Sequence, residues 1–300
     1  MSPAMSVLMP VCNCAKYLAA AIQSITRQTF RDFELIIIDD GSADRSLEII
    51  KNFGLRDSRI HFRSRTNTGI VGALNEALAL ATGGFIARMD GDDVCDATRL
   101  EKQFAFMRAN PEVIASGTGV LYTDPRGRPL YAMKPPVAHE EITAQLLRGH
   151  SMAITHASAI FQAGILKPAG YREQYDSIED LDLFLRLSSK GRLGNLTDVL
   201  YSYRQHPAGT NATKFAGQQR LKRELLAEIY AERNLGPPAL DLPEGAAVSL
   251  SDLYADWSCR AFLGGHRRTG FLYAFRFLLA DKLSPKKIVR FGQMLKLAKV

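Results

Sequence analysis

The sequence predicts an α/β fold: a Rossmann-like, mostly parallel central sheet with antiparallel additions and a helical C-terminal extension. Three observations carry this expectation. Over the first 90 residues, short apolar or β-branched runs alternate with stretches whose apolar residues recur every three or four positions. Around residues 113–133, two apolar runs flank the turn Asp124-Pro125-Arg126-Gly127-Arg128, an antiparallel signature. From Phe215 onward the pattern is mostly helical.

Taken in order, Ser6 to Val11 (SVLMPV) reads as a strand that stops at Cys12-Asn13-Cys14, and Tyr17, Leu18, Ala21, Ile22 and Ile25 follow at helical spacing. Phe33 to Ile38 (FELIII) suits a strand buried on both faces, ending at Asp39-Asp40-Gly41-Ser42 before a helix from Ser46 to Phe53. Arg59 to Arg63 is a third strand. Gly72 to Ala81 is a helix closed by Gly83-Gly84, and Phe85 to Met89 is a fourth strand running into Asp90-Gly91-Asp92-Asp93. A helix from Ala97 to Met107 follows, with Asp96 or Thr98 as its N-cap. Val113 to Tyr122 and Leu130 to Met133 form the antiparallel pair. Beyond Pro135-Pro136 come a helix through Leu147, a strand from Ala157 to Phe161 and an amphipathic helix from Leu181 to Ser188. A break from Gly236-Pro237-Pro238 to Pro243 separates a helix at Gln218 to Arg233 from the later ones. A boundary near residue 212 divides the chain into domains 1–212 and 213–300.

With 300 residues, 46% hydrophobic and 23% charged, the chain has enough apolar material for one large core, which excludes disorder, collagen-like repeats and a disulfide miniprotein. Four cysteines, two of them in a lone CxC, give neither a disulfide framework nor a paired zinc motif. The net charge of +7 is unevenly placed: Trp257 to Val300 holds ten Lys or Arg against one acid, Asp281, which leaves the preceding residues slightly acidic. That distribution argues against a nucleic-acid binder. The N-terminus lacks the basic and apolar segments of a signal peptide, and no run of about 18 apolar residues exists to span a bilayer. The expectation is therefore a cytoplasmic protein, soluble or peripheral on the inner face of the cell membrane.

Polar and acidic clusters fall at the ends of the first, second and fourth strands, where the loops of a parallel sheet converge on a ligand. Asp90, Asp92 and Asp93 repel one another unless a cation or hydrogen-bond donor offsets them, and a hard divalent ion with oxygen ligands does so. The alternative is a solvated acidic turn that caps the next helix. No EF-hand spacing of ligands is present.

The segments SVLMPVCN, QTFRDFELIIIDDGSADRS, RTNTGIVGALNEALALATGGFIARMDGDD, HASAIF, SIEDLDLFLRL and YSYRQHP, in that order over residues 6–207, resemble the family 2 glycosyltransferases of the GT-A fold, inverting enzymes that use nucleotide diphospho-sugars. The resemblance implies that Pro10 and Val11 contact the nucleoside, with Asn13 in the loop beyond. It implies that an aspartate of the Asp39-Asp40 pair, Asp40 by preference, accepts a hydrogen bond from the uracil imide of a UDP-sugar. Asn67 and Gly69 match an NxG turn, and Asn75 lies in the helix after it, near the nucleotide. Asp90 and Asp92 match the DxD motif: Asp90 beside the ribose or donor sugar, Asp92 on a divalent metal (Mn or Mg), with Asp93 reaching sugar hydroxyls. Glu179-Asp180 resembles the family's ED motif with Asp180 as catalytic base, placed at a helix N-terminus where the macrodipole favours the ionised form. His206 is implied as a second metal ligand or diphosphate contact, and His156 and Ser158 lie near the acceptor; Arg204 suits either phosphate oxygens or a carboxylate of the body. The chain departs from the family at Ala157, where relatives carry proline, and at Leu181 and Phe184, where an aromatic such as Tyr or Trp is common. It lacks the QxxRW motif and membrane helices of processive synthases, which implies one sugar per encounter.

The implied function is metal-dependent inverting transfer to a glycan or lipid-linked acceptor in surface polysaccharide assembly. Competing readings are a nucleotide-sugar-binding protein without transfer activity and a nucleotidyltransferase. The latter lacks its glycine-rich basic loop here, since CNCAKY has no glycine. A dehydrogenase is disfavoured because no GxGxxG follows the first strand. In the tail, cations interleave with Phe271 to Leu279 and Ile288 to Leu297, which fits either docking on an anionic membrane surface or packing on the catalytic domain.

Overall fold

In the computed structural model, which describes residues 2–206, 215–238, 249–282 and 284–298, the β-branched runs form the centre of the sheet. Strands β1 (Met5–Val11), β2 (Phe33–Asp40), β3 (Ile60–Arg65) and β4 (Phe85–Arg88) pair in parallel in the order β3-β2-β1-β4. Leu35, Ile36, Ile37 and Ile38 are all buried although successive side chains point to opposite faces, so β2 is covered on both sides as its composition requires. Helices α1 (Ala15–Thr26), α2 (Ser46–Gly54) and α3 (Ile70–Leu80) make the crossovers, and α3 packs Val71, Leu74, Ala77 and Leu78 into one core with Leu8, Ile36, Ile38 and Ile86.

The antiparallel additions lie beyond β4. Strand β8 (Ile160–Gln162) runs antiparallel to both β4 and β6 (Val113–Thr123), and β9 (Arg192–Arg204) and the short β5 (Val94–Cys95) extend the order to β4-β8-β6-β9-β5. The strand expected at Ala157 to Phe161 begins only at Ile160. His156–Ser158 is a 3₁₀ turn instead, because the Ser158 hydroxyl donates to the Thr155 carbonyl (2.9 Å) and the local backbone closes on itself. The expected cap of α4 (Arg99–Ala109) is likewise indirect: Asp96 accepts from the Thr98 amide (2.8 Å), but no side chain caps the helix.

Contacts divide the chain into two compact units, one of Met1–Gly119, Lys134–Tyr201 and Gly217–Pro243, the other of Val120–Met133, Ser202–Ala216 and Glu244–Val300. Residue 212 itself lies outside the described residues, as do Pro207 and the Pro243 end of the proline break. The first unit also holds α5 (His139–Leu147), α6 (Ala163–Ala169), α7 (Glu179–Ser188) and, from Gly217 on, α8 (Phe215–Glu232). In the second unit, β7 (Pro129–Met133) pairs with the end of β6, and α9 (Leu250–Leu263), α10 (Arg267–Ala280) and α11 (Pro285–Leu297) pack on one another. Buried Asp124 accepts the Arg126 and Arg128 amides and the Tyr273 hydroxyl (2.9 Å), which ties the β6–β7 turn to α10. Among the described residues, no helix is long and apolar enough to cross a membrane.

The paired glycines before β4 are not equivalent. A Cβ at Gly83 would lie 2.6 Å from the backbone of Met5 and Ser6, whereas at Gly84 the nearest atom is 3.8 Å away. Gly83→Ala should therefore lower the unfolding free energy by about 2 kcal/mol through overpacking. Gly84→Ala should stay within about 0.5 kcal/mol of the parent in the same urea titrations.

Candidate active site

Parallel pairing places the ends of β1, β2 and β4 at one edge of the sheet, with Val11 opposite Asp39 and Leu8 opposite Arg88. The β1 loop is fastened to the β2 loop there: Asn13, at φ 54°, accepts the Ala43 amide (2.8 Å), and its own amide donates to Ser42 Oγ (3.0 Å). Asp40 is buried and already engaged, accepting Arg65 Nε (2.9 Å) and the Thr68 and Gly69 amides (3.0 and 2.9 Å). Asp39 accepts from Ser64 Oγ (2.7 Å). Asn67 donates to the Asp40 carbonyl (2.9 Å), so the NxG turn is moulded onto the end of β2. Asn75 clamps the Tyr171 backbone through both its amide nitrogen and oxygen (2.9 Å each).

At the end of β4, Asp90, Asp92 and Asp93 each offer a carboxylate oxygen, and these oxygens lie within 4.8 Å of one another. Three hard oxygen donors this close fit a divalent cation such as Mg or Mn. Asp90 is also paired with buried Arg88 (2.7 Å). Burial raises the Asp90 carboxyl above its ordinary value; Arg88 opposes the rise and Asp92 adds to it.

Glu179 and Asp180 open α7. Burial works against the helix dipole here and raises both carboxyls above their ordinary values. Burial first, and the Asp180 charge second, push Glu179 up to about 8, with Arg88 pulling the other way. Burial also raises Asp180, against the Leu181 amide (2.7 Å), the Lys222 ammonium and the Ser151 hydroxyl. A carboxyl raised toward neutrality is a stronger base than an ordinary one. Arg88 thus acts on both Asp90 and Glu179, joining the two acidic groups electrostatically.

The loop that delivers this acid pair is pinned from behind. Asp182, fully buried, accepts from Arg172 and from Arg186 (2.9 Å), and Arg172 also reaches Glu228 of α8 (2.8 Å). Gln218 of α8 donates to the carbonyl of Ser177 (3.0 Å), a residue held at φ 77°. His156 meets the Tyr171 hydroxyl (2.9 Å) among Phe161 and Phe184, and burial and Arg88 hold it neutral, well below its ordinary pKa. Ser158 is buried and bonded to backbone. Arg204, in the second unit, donates to the Pro125 carbonyl (3.4 Å), and His206 follows two residues later, half-buried.

Arg88, Ser151, Tyr171 and Lys222 escaped the sequence reading. Only Arg88 left a trace, as a lone cation in the apolar run FIARM.

Since Glu179 binds its proton more tightly in the native state than at its ordinary value of 4.5, the stabilisation is full in acid and lost as pH rises through about 8. Glu179→Gln should flatten the fall of Tm between about pH 5 and 9, a slope of up to about 1.4 kcal/mol per pH unit in the parent. Thermal melts across that range provide the check, and equal slopes would contradict the raised carboxyl.

A family model described as Glycosyl transferase family 2 matches residues 6–167. The chain is 34% identical over 216 residues to the O-antigen biosynthesis glycosyltransferase WbnJ of Escherichia coli, covering 70% of this chain and 83% of that one. Its fold is similar to S. aureus TarS 1-349 in complex with UDP-GlcNAc (TM-score 0.60, 21% identity, 99% of this chain and 82% of that one). It is also similar to the mannosyltransferase PcManGT from Pyrobaculum calidifontis in complex with GDP-Man and Mn²⁺ (TM-score 0.57, 17% identity, 99% and 81%). Converging strand ends, a carboxylate trio, an acid pair at a helix start and these likenesses lead to one assignment: the chain belongs to glycosyltransferase family 2 and has the GT-A fold.

Proposed function

We propose that the protein transfers a single sugar, with inversion, from a nucleotide diphospho-sugar to a glycan or lipid-linked glycan in surface polysaccharide assembly. The observation that carries this is the raised acid pair Glu179-Asp180, linked through Arg88 to the Asp90–Asp93 cluster. The O-antigen role in WbnJ's name supports the acceptor class, and the UDP-GlcNAc of TarS supports a UDP-sugar donor.

In this reading Asp180 takes the proton of the acceptor hydroxyl while that oxygen attacks the anomeric carbon from the face opposite the diphosphate. The C–O bond to the diphosphate breaks, and the bonding pair leaves with it. Glu179, mostly protonated at neutral pH, leaves a single negative charge at the base position. Pro10, Val11, Asn13 and the Asp39-Asp40 segment form the nucleoside side, shaped by Asn67 and Gly69. Asn75 lies beside the nucleotide and holds the Tyr171 backbone. Asp90 lies by the ribose or the donor sugar, Asp93 reaches the sugar hydroxyls, and Arg204 faces the phosphates. A divalent metal held by Asp92, with His206 as a further ligand, would supply charge neutralisation of the departing diphosphate. The same reading sets the reaction on the cytoplasmic side and the basic C-terminal region against an anionic membrane surface.

Asp180→Asn should lower transfer by about a thousandfold or more while leaving UDP affinity within about threefold. UDP release from a panel of UDP- and GDP-sugars with Mn²⁺ or Mg²⁺, alongside calorimetry, measures both, and retained transfer would refute the base. Asp92→Ala should abolish the metal-dependent part of UDP binding; unchanged binding with Mn²⁺ would remove Asp92 from the metal. UDP binding without turnover of any donor would favour a binding protein.

A further inference from the structure

The charge surplus of the tail takes a definite shape in the second unit. On α10, Arg268, Phe271, Phe275 and Leu279 follow one another at helical spacing, with Lys282 just beyond, and all five are exposed. Leu279 is 84% exposed and Phe275 57%. Phe275 meets Phe291 of α11 with ring centroids 5.7 Å apart, so the apolar stripe continues onto the second helix, which also exposes Ile288 and Val289. The opposite side of α10 is used up inside the unit: Tyr273, Ala274 and Phe277 are buried, and Gly270 lies so close to Phe262 that a Cβ would meet its ring at 2.5 Å. The exposed stripe is therefore not a core face left over by chance.

Its rim is cationic. Arg267, Arg268, Lys282, Lys286 and Lys296 are exposed and form no ion pair among the described residues, unlike Arg290, which pairs with Asp252 (2.7 Å). At the Lys282 end, an open recess of about 320 Å³ gathers Lys282, Lys286, Lys287 and Arg290 against Asp252 and Asp281. Aromatic and aliphatic groups in the middle, with long cationic side chains around them, match the layering of a bilayer surface: acyl chains within, phosphate headgroups outside.

We infer that the α10–α11 face, with Phe271, Phe275, Leu279, Ile288 and Val289 inserted among acyl chains and the surrounding cations on headgroup phosphates, docks the protein on an anionic lipid bilayer. This rests on the reading of the basic C-terminal region as membrane-facing and adds the face that does it. Because Phe271, Phe275 and Leu279 recur along one side of α10, a helix docked by that stripe lies in the interface plane, not across it.

Co-flotation of the full-length protein with phosphatidylcholine vesicles, with and without about one third phosphatidylglycerol, tests the inference. The parent should bind the anionic vesicles at least about tenfold more tightly than the neutral ones, and salt should weaken the binding. Phe275→Glu/Leu279→Glu should lose about tenfold or more of that affinity with an unchanged thermal melt, since both side chains are exposed. Lys282→Glu/Lys286→Glu, which keeps the apolar stripe intact, should lose the preference for anionic lipid. No binding by the parent would overturn the membrane reading and the face together. Binding retained by Phe275→Glu/Leu279→Glu would overturn the face alone. A parent dimer that this pair splits, with no vesicle binding, would identify a protein interface and overturn the inference. Vesicle binding is read without a sugar donor, so none of these outcomes depends on glycosyl transfer.

Discussion

The site depends on a buried positive charge among carboxylates. Parallel strands end together, so whatever the sequence puts at those ends is forced into one cleft, and here it puts acids at two of the three. Arg88 comes up from the interior of the sheet to meet them, paired with Asp90 at 2.7 Å and acting on Glu179 from the same position. Without it, burial and the Asp92 charge at Asp90, and burial and the Asp180 charge at Glu179, would have less to offset them. A single guanidinium can serve both because it is fixed in a strand and is always charged.

Behind that centre, the site is held by a second set of hydrogen bonds and ion pairs. Asn75 grips the Tyr171 backbone, Asp182 collects Arg172 and Arg186, and α8 reaches back through Gln218, Lys222 and Glu228. These bonds fix a loop containing a left-handed Ser177 immediately before the acid pair. The cost of that conformation is met by the packing of a helix some forty residues further along the chain. Helix α8 thus belongs physically with the site, although it lies outside the residues matched by the family model.

Charge is sorted in the same way as shape. The acids concentrate where strands end, and the cations of the last helices collect around an apolar stripe on the second unit. A net charge of +7 therefore describes neither surface.

Much of this was legible in the sequence, for local reasons. Strand β2 had to be buried on both faces because FELIII offers almost no polar alternation, and α7 was visible from Leu181 because its apolar period begins there, just after the acid pair that opens the helix. The acid clusters were visible because carboxylates at strand ends stand out against apolar runs. What sequence could not supply were the partners. Asp40 looked like a ligand acceptor, but its oxygens also hold Arg65 and two backbone amides; the helix start at Asp180 suggested ionisation, but burial raised the pair. The HASAIF run looked like strand throughout, but a serine hydroxyl turned its first half into a 3₁₀ turn. Periodicity and turn chemistry act between neighbours in the chain and can be read there. Desolvation and long-range hydrogen bonds depend on which distant residues arrive, and only the tertiary structure decides that.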